Sequence, residues 1–442
     1  RLCPFCLTCE WIIMRLPWRL PRSLPNSFFS AMLIAMRMFS GILYFFTALL
    51  SVFSFFSCHR SNVVASVNEN QLFTLAYGNF EDQLNLFNLS QAGTINTYMT
   101  MRDGFFYIAN GESKKIMELN SYGDLLSLYY NEDVTKNPTL AENNAENSTK
   151  KAVAYPFNTL GPVAVDSQKH LYAVDTLPPE RQERDAEKRL LLSHAVLRFD
   201  SNGTFIDYLG QQGPGGTPFP FIKNMYTTSA NELVVVCTTN EGPVVYWFGE
   251  NGFLLYTVPF TVDTVPNPYK ESVEDSVYIS IENVVPDLVS HKLYVKIDYF
   301  ANTLDPALKV QSGVDYQHTL LCPLDVTTGR YDTPLEIPPY EAAVAEGLSN
   351  EVYLLPYDFL GVTESGWFFF YTPTDKGYQV QMVQPNGQRI LKRGLSAKHG
   401  DILYYAISLD EEGIISALFI KNERAEVDWW RTDNLVASFM NN

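Results

Sequence analysis

The sequence predicts an all-β fold, a β-propeller of six four-stranded blades closed by an N-terminal strand in the last blade. Three observations predict it. From Asn96 onward, short runs of Val, Ile, Leu, Phe and Tyr alternate with Gly, Asn, Asp and Ser, the pattern of antiparallel strands joined by turns. Four such runs, Pro162 to Asp166, His170 to Asp175, Ala195 to Asp200 and Thr204 to Gly210, form a unit that recurs along the chain. The last unit stops one strand short, while an orphan strand stands ahead of the first.

The elements before that strand are of another kind. Residues Ile42 to Phe56 carry no charge; Met36-Arg37-Met38 precede them and Ser57-Cys58-His59-Arg60 follow. A basic start, an apolar segment and a small residue before the cut are the parts of an export signal. Cys58 would then be the first residue, its thiol carrying a diacylglycerol thioether, with enough buried methylenes in the fully acylated product for stable anchoring. The segment resembles a bacterial lipobox, although Phe55 and Phe56 depart from the commoner small or Leu residues. An uncleaved anchor is the alternative, since the uncharged stretch from Met38 to Cys58 is just long enough to span a bilayer. Both place the body outside the cytosol. Arg1 rather than Met opens the chain, and Met32, Met36 and Met38 are each placed to start it. The expected organisation is an extension and signal over 1–57, a tether over 58–69 and a propeller over 70–442. Cys3, Cys6 and Cys9 have part of an iron-sulfur spacing, but no fourth Cys lies near them.

The blades follow in order. Lys115 to Asn120 turns at Gly123 into Asp124 to Tyr129; Ala195 to Asp200 turns at Asn202-Gly203; Val244 to Gly249 turns at Asn251-Gly252 into Phe253 to Val258. His318 to Asp325 turns at Gly329, and Tyr378 to Gln384 turns at Asn386-Gly387 into Gln388 to Arg393. Asn-Gly supplies the positive backbone angles of a tight hairpin turn. Phe105 to Asn110, Leu233 to Thr238, Leu293 to Tyr299 and Trp367 to Tyr371 supply second strands. The sixth set runs through Ile402 to Leu409, Ile414 to Lys421 and Val427 to Arg431. Leu72 to Gly78 resembles the outer strand Phe205 to Gly210 and would complete it, leaving no long unpaired edge.

The stretch from Pro162 to Phe219, with Val-Ala-Val-Asp, Leu-Tyr-Ala-Val-Asp, Val-Leu-Arg-Phe-Asp and Gly210-Gln-Gln-Gly213-Pro-Gly215-Gly216, resembles an NHL repeat. Together with the lipobox it resembles the NHL-like propeller lipoproteins of spirochaetes. The glycine run lacks the Lys-Ser or Lys-Thr of a phosphate cradle and reads as a linker between blades. Insertions interrupt the repeat. Asn131 to Lys151 is polar and reads as a loop; Thr176 to His194, opening at Pro178-Pro179-Glu180, predicts a short helix. Asn302 to Gln317 is a third insertion, and Glu341 to Glu346 predicts one helical turn.

Function is less legible. The first 57 residues carry Arg1, Arg15, Arg19, Arg22 and Arg37 against Glu10, so removing their net +4 from −17 leaves −21 for the remainder. A field of that sign repels phosphate backbones and argues against nucleic acid as a partner. There is no G-x-S-x-G, H-E-x-x-H, P-loop or zinc-spaced Cys and His cluster. His170, His291 and His399 read as solvated, and Cys237 and Cys322 read as buried small hydrophobes, with a disulfide between them as the alternative. Asn110, Asp166, Asp175 and Asp298 end strands; they either cap turns or supply oxygen ligands, which calcium would suit. Trp247, Trp367, Trp429 and Trp430 suit packing between blades better than a ligand groove. The leading expectation is a lipid-anchored envelope module that binds another envelope protein through its faces and inserted loops, with Leu190, Leu191 and Leu192 as contact residues. The alternative is a calcium-dependent, lactonase-like hydrolase or lyase with its site on the axis.

Overall fold

From Thr97 onward most apolar runs of the sequence become strands of radial sheets. The computed structural model describes residues 64–86, 95–136, 138–142, 150–268, 277–304, 310–346, 349–397 and 402–440. Cys58 and the apolar segment before it lie outside the described residues, as does His399. Among the described residues no helix is long and apolar enough to cross a membrane.

Six antiparallel sheets follow one another along the chain. Blade 1 comprises Thr97–Arg102, Phe105–Asn110, Lys115–Leu119 and Leu125–Tyr130, with Lys151–Ala154 added in parallel at its edge. Blade 2 comprises Leu160–Val165, Leu171–Thr176, His194–Phe199 and Phe205–Gly210. Blade 3 comprises Phe221–Thr227, Leu233–Thr238, Pro243–Phe248 and Leu254–Pro259. Blade 4 has long inner strands, Val277–Pro286, Lys292–Leu304 and Gln311–Asp325, and a broken outer one, Arg330–Tyr331 and Leu335–Ile337. Blade 5 comprises Asp358–Val362, Phe368–Thr374, Gly377–Val383 and Ile390–Ser396. Blade 6 comprises Ile402–Leu409, Ile415–Lys421 and Ala425–Trp430, and its outer strand is Asn70–Leu75. The ring therefore closes as the sequence predicts, two residues earlier than Leu72, with Ala76 to Gly78 turning away to bridge to Leu84.

Alternation along the strands sends apolar side chains to both faces of each blade, because both faces are covered by neighbours. Six hydrophobic clusters result, one at each interface between blades. Trp247 sits between blades 3 and 4, and Trp367 and Trp430 between blades 5 and 6. Leu418, Ile420 and Val427 of blade 6 join Phe106 and Met117 of blade 1 in one cluster, which seals the circle. Trp429 is half-buried against that cluster, with the Arg431 guanidinium over its ring.

Three expectations need correction. Thr176 to His194 holds no α-helix: a single 3-10 turn at Pro179–Arg181 leads into a hairpin pairing Glu183–Asp185 with Leu190–Leu192. The Asp185 carboxylate accepts from the backbone N–H groups of Glu187 and Lys188, which turns the charged run back on itself. Glu341 to Glu346 is extended, because the whole of Tyr340–Glu346 pairs with Ser349–Leu355. Asn302 to Gln317 is no separate loop but a continuation of the second and third strands of blade 4, paired through to Leu304 and Gln311. Cys237 and Cys322, by contrast, are buried as expected, as free thiols at different blade interfaces rather than as the alternative disulfide, and burial raises both.

Candidate functional site

In such a blade the connections from first to second strand and from third to fourth leave from one end. Those from second to third, and from each blade to the next, leave from the other. The first end is built of tight turns that cap themselves. Asp166, Asp200, Asp287, Asp325 and Asp410 each accept hydrogen bonds from backbone N–H groups two to four residues on, and Asn120, Asn251 and Asn386 do the same in other turns. These are Asx turns, read in the sequence as Asn-Gly and Asp punctuation. Among the described residues the second end is where the long connections leave, after Leu75, Tyr130, Thr176, Gly210, Pro259 and Ile337 and between the second and third strands of blade 4.

The innermost strands run from the insertion end to the turn end and enclose the axis. Toward the insertion end they leave a cavity of about 510 Å³, a volume suited to a small ligand; toward the turn end only about 100 Å³ remains. The wide part is asymmetric. Blades 1, 2 and 6 offer Tyr98, Pro162 and Ile407, whereas blades 3, 4 and 5 offer Lys223, Glu282, Lys296 and Asp358.

The charges are arranged in layers. Lys296 and Asp298, two residues apart and each only 2% exposed, form an ion pair of 2.5 Å, and Thr319 Oγ1 donates to the other Asp298 oxygen at 2.5 Å. Burial raises the Asp298 carboxyl above its usual range, and Lys296 opposes that. Lys223 Nζ donates to the Glu282 carbonyl oxygen at 2.7 Å, and Ser280 Oγ donates to the Glu282 carboxylate. Asp358 opens the innermost strand of blade 5, faces the cavity and is held by no hydrogen bond among the described residues. Its carboxyl is raised, first because the protein walls desolvate it and further by Glu282, while Lys296 and Lys223 pull it down. Asn283 Nδ2 donates to the Phe359 carbonyl at 3.0 Å, tying blade 4 to blade 5 beside these groups. Tyr371 and Tyr405 hydroxyls meet across blades 5 and 6, both raised by burial.

The sequence-predicted residues distribute differently. Asp166 caps its turn and also meets the His170 ring at 2.9 Å; Asp175 accepts from the N–H groups of Asn158 and Thr159; Asn110 pins Asn85 by two backbone bonds. His291 is paired with Glu232 at 3.0 Å. Of the strand-end residues only Asp298 touches a residue of the axial site, through its ion pair with Lys296. Lys223, Glu282 and Asp358 were missed, though a charge inside an innermost strand, as in Phe-Ile-Lys-Asn-Met-Tyr-Thr, is a signal once the blades are aligned. Leu190 is half-buried, Leu191 is 47% exposed and Leu192 is buried, as alternation in a hairpin strand dictates.

No family model matches the chain, and no curated protein does. Solved structures with a similar arrangement include a polysaccharide lyase, an ulvan lyase, at 11% identity over 82% of this chain and 83% of that one, with a TM-score of 0.37. A gluconolactonase from Xanthomonas campestris is 11% identical over 74% of this chain and 82% of its own, with a TM-score of 0.34. A calcium-binding regucalcin from Agrobacterium tumefaciens is 8% identical over 83% and 95%, also with a TM-score of 0.34. What the site can do follows from this chain's own residues.

Proposed function

We propose that the chain is a lipid-anchored envelope protein that binds a partner on its insertion-bearing face, around the mouth of the axial cavity. One observation carries the reading: the long connections and the charged, wide end of the axis share one face, while the opposite face is used up in self-capped turns. Loops on a rigid scaffold are where recognition concentrates. The hairpin over 183–192 presents Leu191, and the hairpin over 340–355 presents Val352, Tyr353, Leu354 and Leu355, all exposed, which suits an apolar partner surface. Lipid on Cys58 would leave the seven residues 59–65 before the first described strand, Ser66–Val67, a reach of at most about 25 Å. The body would stay close to its membrane.

The test is co-purification of intact protein from its own envelope. Replacing residues 178–192 by a short Gly and Ser linker should abolish recovery of the partner, and equal recovery would reject the insertion's role. Metabolic palmitate label should be lost in Cys58→Ser; retained label would reject the anchor.

A second reading, an axial enzyme, has one specific observation in its favour: Asp358, Lys296 and the Tyr371 hydroxyl, which meets that of Tyr405, offer proton-carrying groups around one cavity. The calcium of that reading does not fit. Two ammonium groups stand among the cavity carboxylates, and among the described residues no three His, Cys, Asp or Glu side chains are placed to hold a metal. Turnover of ester or glycoside substrates that is lost in Asp358→Asn and unaffected by chelator would favour this reading over the first.

A further inference from the structure

The N-terminal segment does more than add one strand. Ser66–Val67 pairs in parallel with Gly394 and Leu395 of blade 5, and Asn70–Leu75 pairs antiparallel with Ala425–Trp430 of blade 6, so that ten residues staple two blades together. Glu69 lies at the crossing, and its carboxyl group meets that of Asp428. Asp428 is fully buried; its cross-strand neighbours are Ala417 on one side and Gln71 on the other. Among the described residues neither of its carboxylate oxygens receives a hydrogen from any donor. Two carboxylates in contact without a donor repel each other unless a proton lies between them.

The surroundings keep that proton in place. Burial, then the contact with Glu69, then Glu426 push the Asp428 carboxyl up to about 8, against a smaller pull from Lys421. Lys421 is itself engaged with Glu426, which Arg424 also contacts at 3.1 Å. From blade 5 and blade 6, the cluster packed on this face of Asp428's strand contributes Tyr378, Phe419 and Trp430, and the Tyr378 hydroxyl is neutral, raised by burial. The folded state therefore holds a proton that an unfolded Asp releases near its ordinary value of 3.8. Folding takes up a proton between about pH 4 and pH 8, so this contribution to stability is greatest at the acid end and declines as pH rises through that window.

We propose that Glu69 and Asp428 share one proton and act as a pH-gated latch on the ring closure. With the proton bound, the two carboxyl groups join the N-terminal segment to blade 6 by a hydrogen bond. When it leaves to solvent, two adjacent anions remain, and the segment over 66–71 opens while the rest of the ring stays shut.

Hydrogen exchange of the full chain between pH 5.5 and pH 9.5, corrected for the intrinsic dependence on hydroxide, tests this. Protection of 66–71 should fall at least tenfold across the range, with protection of Phe368–Thr374 in blade 5 unchanged. In Asp428→Asn an amide replaces the proton as donor, and in Glu69→Gln the same is done from the half-buried side; both should hold protection level. A parent whose protection over 66–71 does not change with pH overturns the latch. So does an equal loss of protection in Glu69→Gln, a variant that leaves the buried partner untouched.

Discussion

Asp410 and Asp358 are both aspartates at ends of innermost strands, one at each end of the axis. At the turn end, Asp410 is buried and one of its oxygens accepts from the N–H groups of Glu412, Gly413 and Ile414 at 2.7–3.1 Å. At the insertion end, Asp358 is open to the cavity, tied to no backbone group and surrounded by Lys223, Lys296 and Glu282. The same residue type serves the fold in one place and stands free for a ligand in the other. What separates them is the length of the adjoining connection. A tight turn brings its own N–H groups back to the carboxylate, whereas a long connection carries its backbone away and leaves the carboxylate unengaged.

On that division, changes at the turn end should read out as stability and changes at the insertion end as binding. The largest effect removes both faces together. Deleting residues 70–78 leaves Ala425–Trp430 as an unpaired edge and opens the circle, so aggregation or loss of cooperative melting is expected by light scattering and circular dichroism. Survival as a monomer melting within a few degrees of the parent would refute closure through this strand.

Lys296→Met tests the boundary between the two roles, because it lies in the cavity wall yet neutralises a buried Asp298. Breaking a buried pair costs about 3–5 kcal/mol. With its carboxyl already raised, Asp298 can take a proton instead, so the loss seen by chemical denaturation should shrink as pH falls. At the turn end, Asp166→Ala removes an acceptor serving the N–H groups of Gln168 and His170, the Tyr172 hydroxyl and the His170 ring. A loss of about 2–3 kcal/mol is expected, with partner recovery unchanged.

Asp410→Asn should act more gently. The Asp410 carboxyl is pushed up to about 7, by burial first and then by Glu411 and Glu412 against the turn's own N–H groups. The folded parent thus keeps a proton that the unfolded chain loses near 3.8, and its stability declines as pH rises from about 4 to 7. The Asn variant retains the acceptor oxygen, so its melting temperature should vary less over that interval; an unchanged slope would assign the pH dependence elsewhere. The Gly and Ser replacement of 178–192 removes one buried side chain, Leu192, and should cost no more than about 1.5–3 kcal/mol, the worth of burying a Leu. A larger loss would mean the hairpin is part of the fold.

The blades could be read from the chain because each repeats a local rule. Asn251-Gly252 and Asn386-Gly387 mark hairpin turns in any context, and the unbroken apolar run of Leu233–Thr238 needs only its own residues to be seen. The axial site obeys no local rule: Lys223, Glu282 and Asp358 come from three blades and are brought together by the ring alone. The Glu341 to Glu346 segment, Glu-Ala-Ala-Val-Ala-Glu, shows the converse failure. Its composition favours helix, but Val352, Leu354 and their neighbours bring a partner strand within hydrogen-bonding reach, and pairing overrides propensity.

The closing strand also imposes an order in time. The chain leaves the ribosome amino end first, so Asn70–Leu75 is made before any blade, yet its partner Ala425–Trp430 appears only after blades 1 to 5. Tyr77 and Lys421, joined by a hydrogen bond in the finished ring, are 344 residues apart. At about 5–20 residues per second, the strand spends tens of seconds or more without its mate. Blades 1 to 5 can fold as they emerge, but the first strand must be kept from pairing with a stranger. During that interval the nascent protein is most exposed to misassembly, and a holding chaperone has its clearest target in the first few residues of the propeller.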